Sequence, residues 1–399
     1  MTLSKNQQAV CALIAAALFE CQETSFKQAQ WNEIYEEMRA QTIHGLVYPC
    51  LEKSDINLSG RELWNEECLR VIGKSLLLMH NQSKLVSLLE REGIPYLILK
   101  GAAASMYYPN PLLRSMGDVD IYVPPICFDQ ALSLLQREGY HQKTDGKHYP
   151  RHIGFTKENT LFELHRSFAT VNSEKQKQYL DSLLEQVCTQ GKTERVTIDE
   201  CQCSFYAAPA YINGLILLEH IGQHMRAGLG FRQILDWMMF AYRHLQGDGW
   251  SQFQPYAMGT GLEMIAKAVT KMCCLYLGLT GDFGWCMNED KILCDELIAY
   301  LFQSGNFGRK TGNVGMVASV TAGYQNSKNP FQRLQSSGEY NWDYIRKHPW
   351  AKPFAWLYQL FRYAGKTLKL PHFLRTLIAG RKVADERKRL MDKLQIARW

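Results

Sequence analysis

Tyr96-Leu97-Ile98-Leu99-Lys100-Gly101 and Arg114-Ser115-Met116-Gly117-Asp118-Val119-Asp120-Ile121-Tyr122-Val123 are the two segments on which the fold of this 399-residue chain turns. The first is a short apolar run behind the helix breaker Gly93-Ile94-Pro95, and it has the length and flanks of a buried strand. Lys100-Gly101 ends it, and residues 102–108 read as a short helix stopped by Pro109-Asn110-Pro111. The second segment closes in another strand, 119–123, which Pro124-Pro125 terminates. Side chains alternate along a strand, so Asp118 and Asp120 project from one face while Val119 and Ile121 enter the core.

Working outward, residues 128–138 carry the period of an amphipathic helix capped by Gly139. Residues 152–156 and 160–165 read as a hairpin around Lys157-Glu158-Asn159. Alternation within Leu161-Phe162-Glu163-Leu164-His165 places Glu163 and His165 together and buries Phe162 and Leu164. A last strand-like piece lies near Arg195 to Tyr206, and Pro209 then opens a helical stretch with loops at 278–284 and 305–315. Upstream, Ile34, Met38, Ile43, Leu46 and Val47, then Leu69, Ile72, Leu76, Leu85 and Leu89, recur at helical spacing. The expected class is α+β, with a helical region over 1–92, an α/β core over 93–207 and a helical region over 208–399.

Composition narrows the function. With 46% hydrophobic and 21% charged residues the chain is too apolar to be disordered, and 13 Pro with 29 Gly excludes collagen-like or mucin-like architecture. The longest apolar run, Ala9 to Phe19, is about half of the roughly 20 residues a membrane span needs. Leu18-Phe19-Glu20-Cys21 puts a bulky and an acidic residue where a lipoprotein site requires small ones, so the run reads as the first helix of a cytoplasmic protein. Twelve cysteines without regular spacing agree with reduced thiols. From Tyr344 onward fourteen Lys or Arg face three Asp or Glu, so the net charge of +6 belongs to the tail and the rest of the chain is net acidic.

Two carboxylates held as close as Asp118 and Asp120 repel each other, and a divalent cation is the usual means of neutralising them. Glu163 is the natural third ligand if its hairpin lies beside the strand of the aspartates. Three carboxylates converging on one or two Mg²⁺ or Mn²⁺ ions suit in-line phosphoryl or nucleotidyl displacement. Taken in order, strand-Lys100-Gly101-helix, Arg114-x-x-x-Asp118-x-Asp120 and Glu163-Leu164-His165 resemble the uncharacterised bacterial nucleotidyltransferases of the DNA polymerase β superfamily. The resemblance covers about residues 94 to 168, with a weaker extension through His220, His224, Arg232 and Asp236. Gly101-Ala102 stands where the wider superfamily has Gly-Ser or Gly-Gly, and the gap to the first Asp is longer.

The resemblance implies a polymerase β-like core in which Asp118, Asp120 and Glu163 are the metal-binding and catalytic residues, Glu163 doubling as general base. Lys100, Gly101, Arg114 and His165 are the expected nucleotide-binding residues. The implied activity is transfer of a nucleoside monophosphate from an NTP, with ATP the expected donor, to an unidentified hydroxyl with release of pyrophosphate. The alternative is a non-catalytic nucleotide- or nucleic-acid-binding protein on the same fold.

Three further features have plainer readings beside functional ones. His220 and His224 share a helix face, but Ile221 stands where a zinc protease needs Glu, so they are expected as a wall of the nucleotide or acceptor pocket. Arg232 and Asp236, one turn apart, read as an intrahelical ion pair, and 305–312 as a flexible loop able to fold over the site. The basic, aromatic tail has the mixture that contacts nucleic acid or an anionic membrane surface; its plainer reading packs the aromatics and leaves the bases in water.

Overall fold

A computed structural model describes residues 3–19, 31–52, 61–143, 151–325, 329–368 and 373–396. Glu20, Cys21 and Lys369 lie outside the described residues. The chain opens with helices α1 (Lys5–Phe19), α2 (Trp31–Ala40), α3 (His44–Glu52) and the long α4 (Arg61–Arg91). Gly93, at φ 65°, takes the left-handed position after α4. The Ile94 N–H then donates to the Leu89 carbonyl at 2.9 Å, the six-to-one bond of a Schellman stop. That stop turns the chain into β1 (Leu97–Leu99), whose three residues are all buried.

The core alternates as read. After β1 come α5 (Gly101–Ser105), β2 (Val119–Tyr122), α6 (Phe128–Arg137), β3 (His141–Gln142), β4 (His152–Lys157) and β5 (Thr160–His165). They form one five-stranded mixed sheet in the order β1-β2-β5-β4-β3. Strand β2 runs antiparallel to β1 and parallel to β5, and the parallel pairing is made possible by the α6 crossover. Val119, Ile121, Phe162 and Leu164 enter an apolar cluster with α6 residues Phe128, Ala131, Leu134 and Leu135. Burying one face this way fixes the register, because a slip of one residue would send every side chain to the other face.

Two differences from the sequence reading follow from local chemistry. Helix α5 is five residues rather than the seven of 102–108, because Tyr107 and Tyr108 close turns onto Ala104 and Ser105 before the proline segment. The strand-like piece at 195–206 is a hairpin of β6 (Glu194–Ile198) and β7 (Cys203–Ala207), a separate two-stranded sheet, with Gln202 at φ 51° in the turn.

Helix α7 (Glu174–Thr189) separates β5 from that hairpin. The helices that follow are α8 (Ala210–Met225), α9 (Phe231–His244), α10 (Gly249–Thr260), α11 (Glu263–Tyr276) and α12 (Lys291–Ser304). They share the largest apolar core with α1 to α3, around Trp237, Phe240, Phe253 and Phe302. The tail is α13 (Gly312–Gln325), α14 (Pro330–Asn341), α15 (Tyr344–Lys347), α16 (Ala355–Leu368) and α17 (Phe373–Lys393). One tail base is not in water: Arg387 is 2% exposed and donates to the Arg226 carbonyl and Ser319 Oγ, both at 3.2 Å. Among the described residues no helix is long and apolar enough to cross a membrane.

Candidate active site

The register of β2 against β5 assembles the site. Asp120 stands opposite Glu163, and Tyr122 opposite His165, so the acidic face of one strand meets that of the next. The Asp120, Glu163 and His165 ligand atoms all lie within 4.8 Å of one another. His165 Nε2 is 2.9 Å from Asp120 Oδ1 and 3.5 Å from Glu163 Oε2, a single ring bridging both carboxylates. On the other side of Asp120, where β1 pairs with β2, Lys100 Nζ lies 2.8 Å from the same Oδ1. Lys100 holds that position from a backbone at φ 49° and ψ −136°, a conformation a side-chain-bearing residue adopts at a cost of roughly 1–3 kcal/mol and keeps only where its surroundings impose it.

Charge is shared unevenly among the three carboxylates. Burial works against ionised Asp120, yet Lys100 and His165 outweigh it and hold the carboxyl well below its usual range. Glu163 is likewise held low despite burial, chiefly through its hydrogen bond to His165. Burial favours neutral Lys100 and neutral His165, but Asp120 and its acidic neighbours outweigh it and raise both above their ordinary values. Asp118, just before β2, is the exception. It has no ion pair and no side-chain hydrogen bond among the described residues, and burial together with Asp120 raises its pKa to about 6.

Lys100, Gly101, Asp118, Asp120 and Glu163 line the sheet side of a cavity of about 180 Å³, and His165 stands behind the carboxylates rather than in its lining. Its opposite wall is His220, Gln223 and His224 from α8, Arg232 from α9, and Phe307. The two histidine rings are 4.5 Å apart, and burial first, then neighbouring cationic groups, keeps them neutral, His224 at about 3. Glu219, beside them in sequence, faces away and fastens α8 to the backbone amides of Thr170 and Val171.

Arg114 lines this cavity but its charge is already matched. Its Nε and Nη2 donate to the two Asp236 oxygens at 2.6 Å each, and Tyr108 Oη donates to Asp236 Oδ1 at 2.8 Å. This overturns the expected intrahelical pair of Arg232 with Asp236. A partner 122 residues upstream claims the carboxylate through a two-pronged fork, a stronger geometry than one turn of helix offers. Arg232 instead donates to the Ser115 carbonyl at 3.3 Å and lies 5.8 Å from the centre of the Phe307 ring.

Phe307 and Arg232 were not singled out as site residues from sequence. The only sequence signal for Phe307 was the glycine-rich setting of 305–312. That segment is docked rather than loose: the Phe307 N–H donates to the Gly228 carbonyl at 3.1 Å, and a Cβ on Gly228 would stand 2.1 Å from Gly308 N.

A larger cavity, about 520 Å³, lies between α12 and α17 and shares no residue with this site; of its acids, Asp295 pairs with Lys291 and Glu296 with Lys393. The model of a family described as an uncharacterised nucleotidyltransferase matches residues 27–278, more than half of the chain. The chain belongs to that nucleotidyltransferase family. The match takes in α8 and α9 along with the sheet, so both walls of the cavity except Phe307 fall inside it. A mixed α+β chain, mostly helical with a small mixed sheet, is consistent with such a fold. No curated protein and no solved structure matches.

Proposed function

We propose that this family member moves a nucleoside monophosphate from an NTP, with ATP the expected donor, to a hydroxyl acceptor. The acceptor oxygen bonds to the α-phosphorus, the bond from that phosphorus to the β-phosphate oxygen breaks, and pyrophosphate leaves. The observation that carries the reading is Asp118, a buried carboxylate that lines the same cavity as Asp120 and Glu163 and has no ion pair among the described residues. An all-carboxylate donor set is the kind that Mg²⁺ or Mn²⁺ prefers, so Asp118, Asp120 and Glu163 would hold the metal. Bound there, it would supply Lewis-acid stabilisation of phosphate oxygens and acidify the acceptor hydroxyl.

The protein's own groups divide the remaining work. Lys100, fixed on Asp120, presents its ammonium to phosphate oxygens at the mouth of the Gly101 turn, where the absence of a Cβ allows close approach. Glu163, kept ionised by His165, takes the hydroxyl proton as general base. His165 sets the spacing of Asp120 and Glu163. Arg114 holds the segment that carries Asp118 by gripping Asp236 rather than by binding phosphate. His220 and His224 form a neutral wall opposite.

The test is incubation with each α-labelled NTP, Mg²⁺ or Mn²⁺ and a panel of hydroxyl acceptors. Wild type should transfer label, and Asp118→Ala plus Asp120→Ala should reduce transfer at least about a hundredfold with unchanged circular dichroism. Transfer at the wild-type rate by the double variant would contradict the proposal. Metal-dependent nucleotide binding with no label moved would leave the chain a binding protein.

A further inference from the structure

Helices α14 to α16 lie beyond residue 278, so neither the carboxylate site nor the family match accounts for the surface they carry. Helix α16 packs so closely on α14 that a Cβ on Gly338 would stand 1.9 Å from the Ala355 carbonyl oxygen, and Ala355 and Gln359, one turn apart, are buried. The other side of α16 is apolar and open: Phe361 is 67% exposed, Ala364 and Gly365 lie outward with it, and Leu360 stands at its shoulder. The 3₁₀ turn leading into α16, Pro349–Phe354, adds Trp350 at 67% and Phe354 at 52%. Seven residues are close to two helical turns, so Phe354 and Phe361 fall on the same side. Lys347 and Lys352 flank Trp350 and are exposed, and residues 330–368 hold six Lys or Arg against two Asp or Glu, which sets the apolar stripe in positive charge. Lys352 reaches Glu339 at 3.4 Å, but a pair in water does little to cancel that charge.

Single-stranded nucleic acid and an anionic lipid surface both suit cations around apolar groups, and the ring geometry separates them. A nucleobase needs a free ring face on which to stack. Here ring faces are already taken: Trp342 lies flat on Tyr358, with 5.0 Å between centres and 3° between planes, and Trp356 packs with Phe331 at 5.6 Å. What points outward is a mixture of rings and an aliphatic chain, Trp350, Phe354, Leu360 and Phe361, the kind of set that an amphipathic helix buries between headgroups and acyl chains. Charge agrees. The basic tail follows a net acidic chain, so an anionic bilayer would attract this region, repel the remainder and thereby orient the molecule.

We propose that the surface of α15, the 349–354 turn and α16 docks on an anionic phospholipid bilayer, with Trp350, Phe354 and Phe361 entering the headgroup layer and Lys347 and Lys352 meeting lipid phosphates. Flotation of the full chain with vesicles of phosphatidylcholine alone, or of phosphatidylcholine mixed with an equal amount of phosphatidylglycerol, tests it. Wild type should float with the mixed vesicles and stay behind with the neutral ones, and binding should weaken as salt rises. Trp350→Ser plus Phe361→Ser, and separately Lys347→Glu plus Lys352→Glu, change only exposed side chains. Each pair should cut partitioning at least about tenfold with unchanged circular dichroism. Equal binding to both vesicle types, binding to neither, or binding that both variants retain would overturn the proposal. Wild type that binds a single-stranded oligonucleotide and no vesicle would overturn it in favour of nucleic acid. A wild-type dimer in sedimentation velocity that both variants dissociate, with no vesicle binding, would overturn it in favour of a second copy of the chain. The comparison of the two vesicle types needs wild type alone, so it decides even where a variant fails to fold.

Discussion

Two clusters of buried charge lie close together on the 114–120 segment and are built on opposite principles. In the first, Arg114 meets Asp236 through two hydrogen bonds of 2.6 Å, Tyr108 adds a third, and both charged side chains are at most 3% exposed. In the second, among the described residues, Lys100, His165 and His152 reach Asp120 and Glu163, and no cationic side chain pairs with Asp118. The difference teaches where to look for chemistry. A buried pair that closes on itself fastens α9 to the strand-entry segment, whereas a buried carboxylate left over marks a place where something charged is meant to bind.

The largest stability effect should come from opening the closed pair. Asp236→Ala leaves the Arg114 guanidinium buried and uncompensated, and urea denaturation should show a loss of about 3–5 kcal/mol. Adding Arg114→Met to Asp236→Leu should recover most of it, since a buried pair contributes little over apolar groups of similar volume. No loss in the single variant would show that the pair is not what holds the segment.

The leftover carboxylate should respond in the opposite direction. The pKa of Asp118 in the folded chain, about 6, lies above the unfolded value near 4, so the folded state binds the extra proton between them. Stability therefore falls as pH rises through that window. In chelator-treated protein, Asp118→Asn should gain on the order of 2 kcal/mol at pH 8, and the gain should fade as pH drops from 6 toward 4. A gain that does not change with pH would mean the substitution acts by packing instead.

Much of this arrangement was legible from residue order, and the limits have physical causes. The run 96–101, the prolines at 109–111 and 124–125, and the alternation in 119–123 and 161–165 specify strands and faces, because burial of one face is a local pattern. The facing of Asp120 and Glu163 depends on which strands become neighbours and in what register, and no single strand states that. Arg114 with Asp236 was unreadable because the pair spans 122 residues, while a competing partner for Asp236 stood one turn away. Arg232 was hidden by that same local pairing, and Phe307 by a loop whose docking depends on Gly228. Hairpin β6–β7 was read as one strand because Thr197, Ile198, Cys201 and Cys203 give no strong turn signal.

The central claim is that Asp118, unlike the self-satisfied Arg114 and Asp236, is held ready for a divalent cation together with Asp120 and Glu163. Titration of metal-free protein with Mn²⁺ at pH 7.5, followed by electron paramagnetic resonance of the free ion, tests it directly. The account predicts saturable binding that Asp118→Asn weakens at least about tenfold while Asp236→Asn leaves it within about threefold. Wild-type protein that leaves all Mn²⁺ free, or an Asp118→Asn variant that binds it as tightly as wild type, would contradict the account.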